Sequence, residues 1–310
     1  MPKPRRPSPR FSGDRTGVTT RAGTRARAGT IACAALALVA FAANSVLCRR
    51  ALGGGSIDPA TFSTIRLASG AVALVLYSSF RRGRPFSAGG SWISAVLLFL
   101  YAVPFSFAYL SLGAGTGALV LFGSVQATMI VAAIRSGERP HPLQWLGLAL
   151  ALGGLAYLVS PGLRAPSASG SSLMAVAGIS WGFYSLRGRG TIDPLLDTAG
   201  NFARAVAPAL LVSLVFLRQA RVTPGGALLA MASGVLASGG GYVLWYAALT
   251  GLTATRAAFV QLPVPVLTAV AGVLFLSESV SLRLALASIL ILGGVALALL
   301  GRERLGQSPS

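Results

Sequence analysis

Acidic side chains are what this chain has least of. Its 310 residues include only seven Asp and Glu, one His and two Cys, against 26 Lys and Arg. Charged residues make up 11% of the sequence, where a soluble domain carries about a quarter. So little charge cannot coat a chain that is 54% hydrophobic with a mean hydropathy of +0.72, which excludes a water-soluble fold. Lipid needs no polar coat. The single His, at position 141, and the lack of any Cys-x-x-Cys leave no metal centre, and no cofactor is expected. Cys33 and Cys48 sit roughly four helical turns apart in one apolar run, too far to pair on a straight helix, and read as packing residues. No Ser-His, Cys-His or paired-carboxylate arrangement falls at one depth, so the chain is not expected to be an enzyme.

Positive charge is abundant, but its placement argues against nucleic acid. Eight of the 26 basic residues lie in the first 28 positions, and most of the others lie in short segments between apolar runs. Residues 1–28 are rich in Arg, Pro, Ser, Thr and Gly and hold few large apolar groups, which predicts a disordered basic tail. A short tail is also expected at residues 302–310.

Between the tails, apolar runs predict ten transmembrane helices near 29–48, 58–79, 91–111, 114–134, 142–160, 170–187, 195–217, 226–249, 252–275 and 281–300. The first run, ending near AFAANS, also has the look of a secretory signal with a small-residue cleavage site. Its counterpart in the second half favours a retained span.

That counterpart appears when the sequence slides on itself by 140 positions. Glu138 then meets Glu278, Gly153-Gly154 meets Gly293-Gly294, 108–120 meets 248–260, and 40–49 meets 180–189. With small gaps Asp58-Pro59 matches Asp193-Pro194, and Arg66 matches Arg204. The expected fold class is therefore an all-α membrane protein of two five-helix repeats, 29–160 and 170–301. An odd number of spans inverts the second repeat relative to the first, the arrangement that underlies alternating access.

Basic residues set orientation. With the N-terminus in the cytoplasm, the inner segments carry the eight tail residues and nine Arg (81, 82, 84, 135, 139, 187, 189, 302 and 304), and the outer segments carry six (49, 50, 164, 218, 221 and 283). Both termini are thus expected on the cytoplasmic side. Arg usage, with one Lys in the chain, suggests a GC-rich bacterial genome and hence a bacterial inner (plasma) membrane.

Together these features resemble the EamA-type branch of the drug/metabolite transporter superfamily. The resemblance rests on IRSGERP (134–140) and FLSES (275–279), each closing an apolar run with Glu before a Gly-Gly helix. It rests also on GISWGFYSLRGRG (178–190) at the start of the second half, and on the Asp-Pro-initiated, Arg-bearing second helix of each half. The family often has Pro thirteen positions before the Glu; here that is Pro265, but Val125 in the first half. The resemblance implies a secondary transporter of a small metabolite, an amino acid or related solute, often by efflux. The alternative is a non-transporting membrane scaffold or sensor.

Polar groups in hydrocarbon tend to face a cavity or a partner. Candidate solute-binding residues are Asn44, Arg66, Ser124, Gln126, Trp181, Tyr184, Asn201, Arg204, Tyr242, Trp245 and Gln261. No acid lies at mid-span, so the cavity should favour a carboxylate-bearing solute over a lipophilic cation. Glu138 and Glu278 are expected to be structural, capping neighbouring helix N-termini. Pro263 and Pro265 should break the ninth span, and Gly239-Gly240-Gly241 should weaken the eighth. The partners expected are the bilayer and a small solute, with no nucleic acid; the Gly-Gly helices allow a homodimer.

Overall fold

The computed structural model describes residues 16–83, 89–135, 142–160, 166–189, 191–250 and 260–305. Among them are ten helices: α1 Thr16–Gly53, α2 Pro59–Arg82, α3 Trp92–Ala108, α4 Ala114–Arg135, α5 Pro142–Val159, α6 Ala168–Gly188, α7 Pro194–Val215, α8 Pro224–Leu249, α9 Pro263–Leu276 and α10 Leu282–Leu305.

Five of these, Gly29–Gly53 within α1, α2, Ala114–Ala132 within α4, α7 and α8, are long and apolar enough to cross a bilayer on those grounds alone. Trp92–Ala108, Trp145–Val159 within α5, Pro263–Leu276 and Leu282–Leu297 within α10 are apolar as well. α6 is long enough but carries several Ser and Gly residues, which lower its hydropathy. The ten apolar runs thus become ten helices.

Local chemistry sets the starts. The Asp58 carboxylate accepts the Thr61 amide (2.9 Å) and Pro59 opens α2; the Asp193 carboxylate accepts the Leu196 amide (3.0 Å) and Pro194 opens α7. Such caps satisfy an otherwise orphaned amide, and Pro at the first position loses nothing. Thr223 caps α8 in the same way, with Pro224 behind it. α2 stops at Gly83, whose φ of 61° suits only a residue without Cβ strain. At its other end α1 starts at Thr16, well inside the segment whose composition predicts disorder. Helix growth is cooperative, so a formed span extends into flanking Ala and Arg that could not nucleate a helix alone.

The burial pattern is that of a lipid-embedded protein. Asn44, Arg66, Ser106, Gln126, Asn201 and Gln261 are buried, while Phe80, Leu214, Leu228, Leu274 and Ile289 are exposed. Exchanging each helix for its counterpart five places along reproduces the packing. α3 on α6 becomes α8 on α1, α4 on α6 becomes α9 on α1, and α2 on α8 becomes α7 on α3. α2–α7, α4–α9 and α5–α10 map onto themselves. Two related five-helix units therefore pack about a pseudo-two-fold axis. Phe41 and Trp181, equivalent in the repeat, meet across that axis with ring centroids 5.6 Å apart.

Small residues bring the helices together. A Cβ on Gly154 would fall 2.7 Å from Leu290 Cβ, and one on Gly294 would fall 2.6 Å from the Gly147 carbonyl, so α5 and α10 pack face to face. Their neighbours Gly153 and Gly293 meet nothing within 4 Å. The ninth span is interrupted where the Pro pair stands, and α9 begins at Pro263.

Candidate functional site

The polar centre of the molecule is built around Arg66, on the third turn of α2 and 1% exposed. Its Nε donates to Ser238 Oγ (2.9 Å), and its Nη2 donates to the hydroxyls of Tyr101 (3.1 Å) and Tyr242 (3.0 Å). The guanidinium lies 5.1 Å from the Tyr101 ring centroid and 5.0 Å from that of Phe105. Its Nη1 has no hydrogen-bond partner among the described residues. Among the described residues the ion pairs are Arg49–Glu278 and Arg82–Asp193, so no carboxylate answers the Arg66 charge. A buried charge without its counter-ion costs several kcal/mol, roughly. Hydrogen bonds to charged groups return about 1.5–3 kcal/mol each, and the aromatic faces add a little.

Asn44 extends this network. Its Nδ2 donates to Tyr101 Oη (3.2 Å), and its Oδ1 accepts from Ser233 Oγ (2.6 Å) and lies 3.5 Å from Ser238 Oγ. These serines are five residues apart and reach one partner because Ser233–Gly240 of α8 is a π-helix, with i to i+5 pairing. The weakening expected of the three consecutive glycines thus takes a definite form: a widened turn. The same turn lets the backbones of α2 and α8 touch. A Cβ on Gly234 would sit 2.2 Å from the Arg66 carbonyl, and one on Gly70 would sit 2.9 Å from the Gly234 carbonyl.

Aromatic rings close the site. Trp181 lies 4.6 Å from Tyr242, 5.0 Å from Tyr101 and 5.5 Å from Tyr184, centroid to centroid. Trp245 is fully buried against Phe41 (5.8 Å), and its Nε1 has no hydrogen-bond partner among the described residues. Tyr184 accepts from Asn201 Nδ2 (3.4 Å), whose Oδ1 accepts the Ser91 amide (2.9 Å).

Seven of the residues singled out from sequence, Asn44, Arg66, Trp181, Tyr184, Asn201, Tyr242 and Trp245, therefore fall in one buried region shared by α1, α2, α6, α7 and α8. The others stand apart. Arg204 is half-buried beside the start of α3, donating to the Gly89 carbonyl (2.5 Å) and lying over Trp92. Matching it with Arg66 needs a gap that a helix cannot absorb. Counted from the Asp caps, both eight residues on, Asn201 is the counterpart of Arg66. Ser124 lines a separate groove among α4, α5 and α6. Gln126 and Gln261 are buried on α4 and just before α9; among the described residues both side-chain amide atoms of Gln261 lack a partner, and no described contact links either residue to Arg66. Pro265 is buried on α9.

Glu278 Oε2 accepts the Ala114 amide at the start of α4 (2.7 Å), and Oε1 pairs with Arg49 (3.2 Å). Glu138 lies outside the described residues. Tyr101, Phe105, Ser233 and Ser238 are site residues that sequence reading missed. A tyrosine or serine inside an apolar run was the available signal, too common to single out.

Clasps bind loops at the two ends. Ile57 and Val222 form an antiparallel bridge, Asp58 accepts the Arg221 amide (3.0 Å), and the Thr223 amide and hydroxyl donate to the Ser56 carbonyl (both 2.9 Å). At the other end Asp193 pairs with Arg82, and Asp197 accepts the Gly90 amide (2.7 Å).

Comparison with known proteins fits this architecture. The EamA-like transporter family matches residues 29–160 and 168–300. An uncharacterized protein of Pseudomonas aeruginosa is 49% identical, over 90% of this chain and 96% of its own length. An uncharacterized transporter of Archaeoglobus fulgidus is 25% identical over 79% of this chain and 89% of its own. An uncharacterized transporter of Bacillus subtilis, YwfM, is 27% identical over 75% and 81%. A solved crystal structure shares the fold at a TM-score of 0.61 with 20% identity, covering 85% of this chain and 98% of that one.

Proposed function

The chain belongs to the EamA-like transporter family and is a membrane transporter, and we propose that its cargo is a small carboxylate-bearing metabolite, an amino acid or a related acid, held by Arg66. The observation that carries this reading is a fully buried guanidinium whose Nη1 has no partner, and which no carboxylate faces, among the described residues. Two N–H donors remain there for an anion, and a charge-assisted bond in a dry site is strong. The rings of Trp181, Tyr242 and Trp245 supply an apolar wall for the rest of the solute.

The transport cycle we assign is alternating access, with the two five-helix units rocking about the pseudo-two-fold axis that passes by Phe41 and Trp181. The clasps at 56–58 with 221–223 and at 89–91 with α7 lie at opposite ends of α2 and would open in turn. Efflux across a bacterial inner membrane, with both termini cytoplasmic, accords with the Arg bias and the family resemblance.

The test is uptake into proteoliposomes holding only this protein, screened with labelled amino acids, short carboxylic acids and quaternary ammonium compounds. Acids should accumulate in the wild type and lose at least about 100-fold with Arg66→Gln. Quaternary ammonium compounds as the best cargo would refute the reading.

A further inference from the structure

Away from Arg66, a groove of about 730 Å³ runs between α4, α5 and α6. Its walls are apolar, and Leu152, Ile179 and Phe183 stand exposed along it, on the surface that faces the bilayer. One end is marked by Arg135, the other by Ser124. We infer that this groove binds an anionic phospholipid, its headgroup phosphate on Arg135 and one acyl chain along the apolar wall.

Three observations support that occupant over an apolar solute. The first is position. The apolar run of α4 ends at Ile134 in sequence and Arg135 closes the helix, which sets Arg135 at headgroup level. The second is length. Arg135 and Ser124 are separated by eleven residues of helix, about 16 Å of rise. That is close to half the roughly 30 Å of hydrocarbon, the reach of an acyl chain within one leaflet. The third is charge. Arg135 is exposed, and no ion pair or side-chain hydrogen bond engages it among the described residues. The following segment, 136–141, adds Arg139 and Glu138 in sequence and does not reverse the sign.

A second apolar pocket serves as an internal contrast. Pro265, Val270 and Leu284 help line a cavity of about 360 Å³ beside α9 and α10, and none of its lining residues is basic. Lipid there has no charged anchor. The groove with Arg135 is thus a specific site, and its occupant lies against α6, which carries Trp181 and Tyr184.

Native mass spectrometry of the purified full chain can test this, with dioleoylphosphatidylglycerol and dioleoylphosphatidylcholine as probes and glycerol phosphate as a soluble competitor. The wild type should retain phosphatidylglycerol about ten-fold better than phosphatidylcholine. Arg135→Gln, at an exposed position, should erase that preference, Arg135→Lys should keep most of it, and Ala175→Phe should block both lipids by filling the groove. Glycerol phosphate should not displace the lipid. Equal retention of the two lipids by the wild type, an unchanged preference in Arg135→Gln, or displacement by glycerol phosphate would overturn the assignment.

Discussion

Eight residues beyond its Asp cap, α2 carries Arg66; at the same distance beyond its own, α7 carries Asn201. The two stand at equivalent places in equivalent helices, and both are buried. Asn201 donates to the Tyr184 hydroxyl and accepts the Ser91 amide, one partner from each half, and carries no charge. Arg66 reaches Tyr101, Tyr242 and Ser238, drawn from both halves, and still has an amino group to spare. Duplication supplies the frame, and divergence at this one position places the charge on one side of the axis. A symmetric pair of arginines would put two cations together in low dielectric, where like charges repel strongly.

Breaking the asymmetry should have the largest effect. Arg66→Asn makes the first half like the second, and should lower uptake of an acid by at least about 100-fold while the protein still inserts. Asn201→Ala, removing only a neutral amide, should cost about ten-fold or less. Equal losses in the same proteoliposome assay would mean that both positions are merely structural.

Next in size is the close approach that lets Arg66 meet the widened turn. Gly234→Ala places a methyl group against the Arg66 carbonyl, which is backbone and cannot swing aside. Overpacking of this kind costs about 1–3 kcal/mol. A lower melting temperature in detergent and loss of transport are expected. Gly153→Ala, with nothing within 4 Å of its Cβ, should leave both unchanged.

The smallest effect separates the two ends. Asp58 and Asp193 each cap a helix with one oxygen and bind a distant segment with the other, but Asp58 holds the Arg221 amide and Asp193 the guanidinium of Arg82 at the end of α2. Ala at either position removes a cap worth about 1 kcal/mol. The ion pair is partly exposed, so salt screens it, whereas the backbone bond is far less sensitive. Raising ionic strength should therefore shrink the destabilisation of Asp193→Ala and leave that of Asp58→Ala nearly constant, as read from melting curves.

Much of the frame was legible in the sequence because hydrophobic length, Asp-Pro starts and the duplicated glycines are local signals. Arg66 stands out in the sequence together with Arg204, each an arginine in an apolar run that either snorkels to the interface or finds buried partners; only the fold shows Arg66 buried. Its partners were not legible. Tyr101 and Ser238 acquire a role only when α3 and α8 fold against α2, and the π-turn that aims Ser233 and Ser238 together shows in the sequence only as a run of glycines. The equivalence of Arg66 with Asn201 was hidden by a residue-type match to Arg204, which the geometry of capped helices overrules. Ser124, Gln126 and Gln261 show the opposite failure: polar residues in corresponding helices, none with a described contact to the Arg66 network.

The central claim is that a buried, unanswered guanidinium recognises the acid group of the cargo. The most direct test compares a transported acid with its primary amide in proteoliposomes, for wild type and Arg66→Gln. The wild type should take up the acid at least about 100-fold faster than the amide, and the variant should treat the two alike. Equal uptake of acid and amide by the wild type, or unchanged discrimination in the variant, would contradict it.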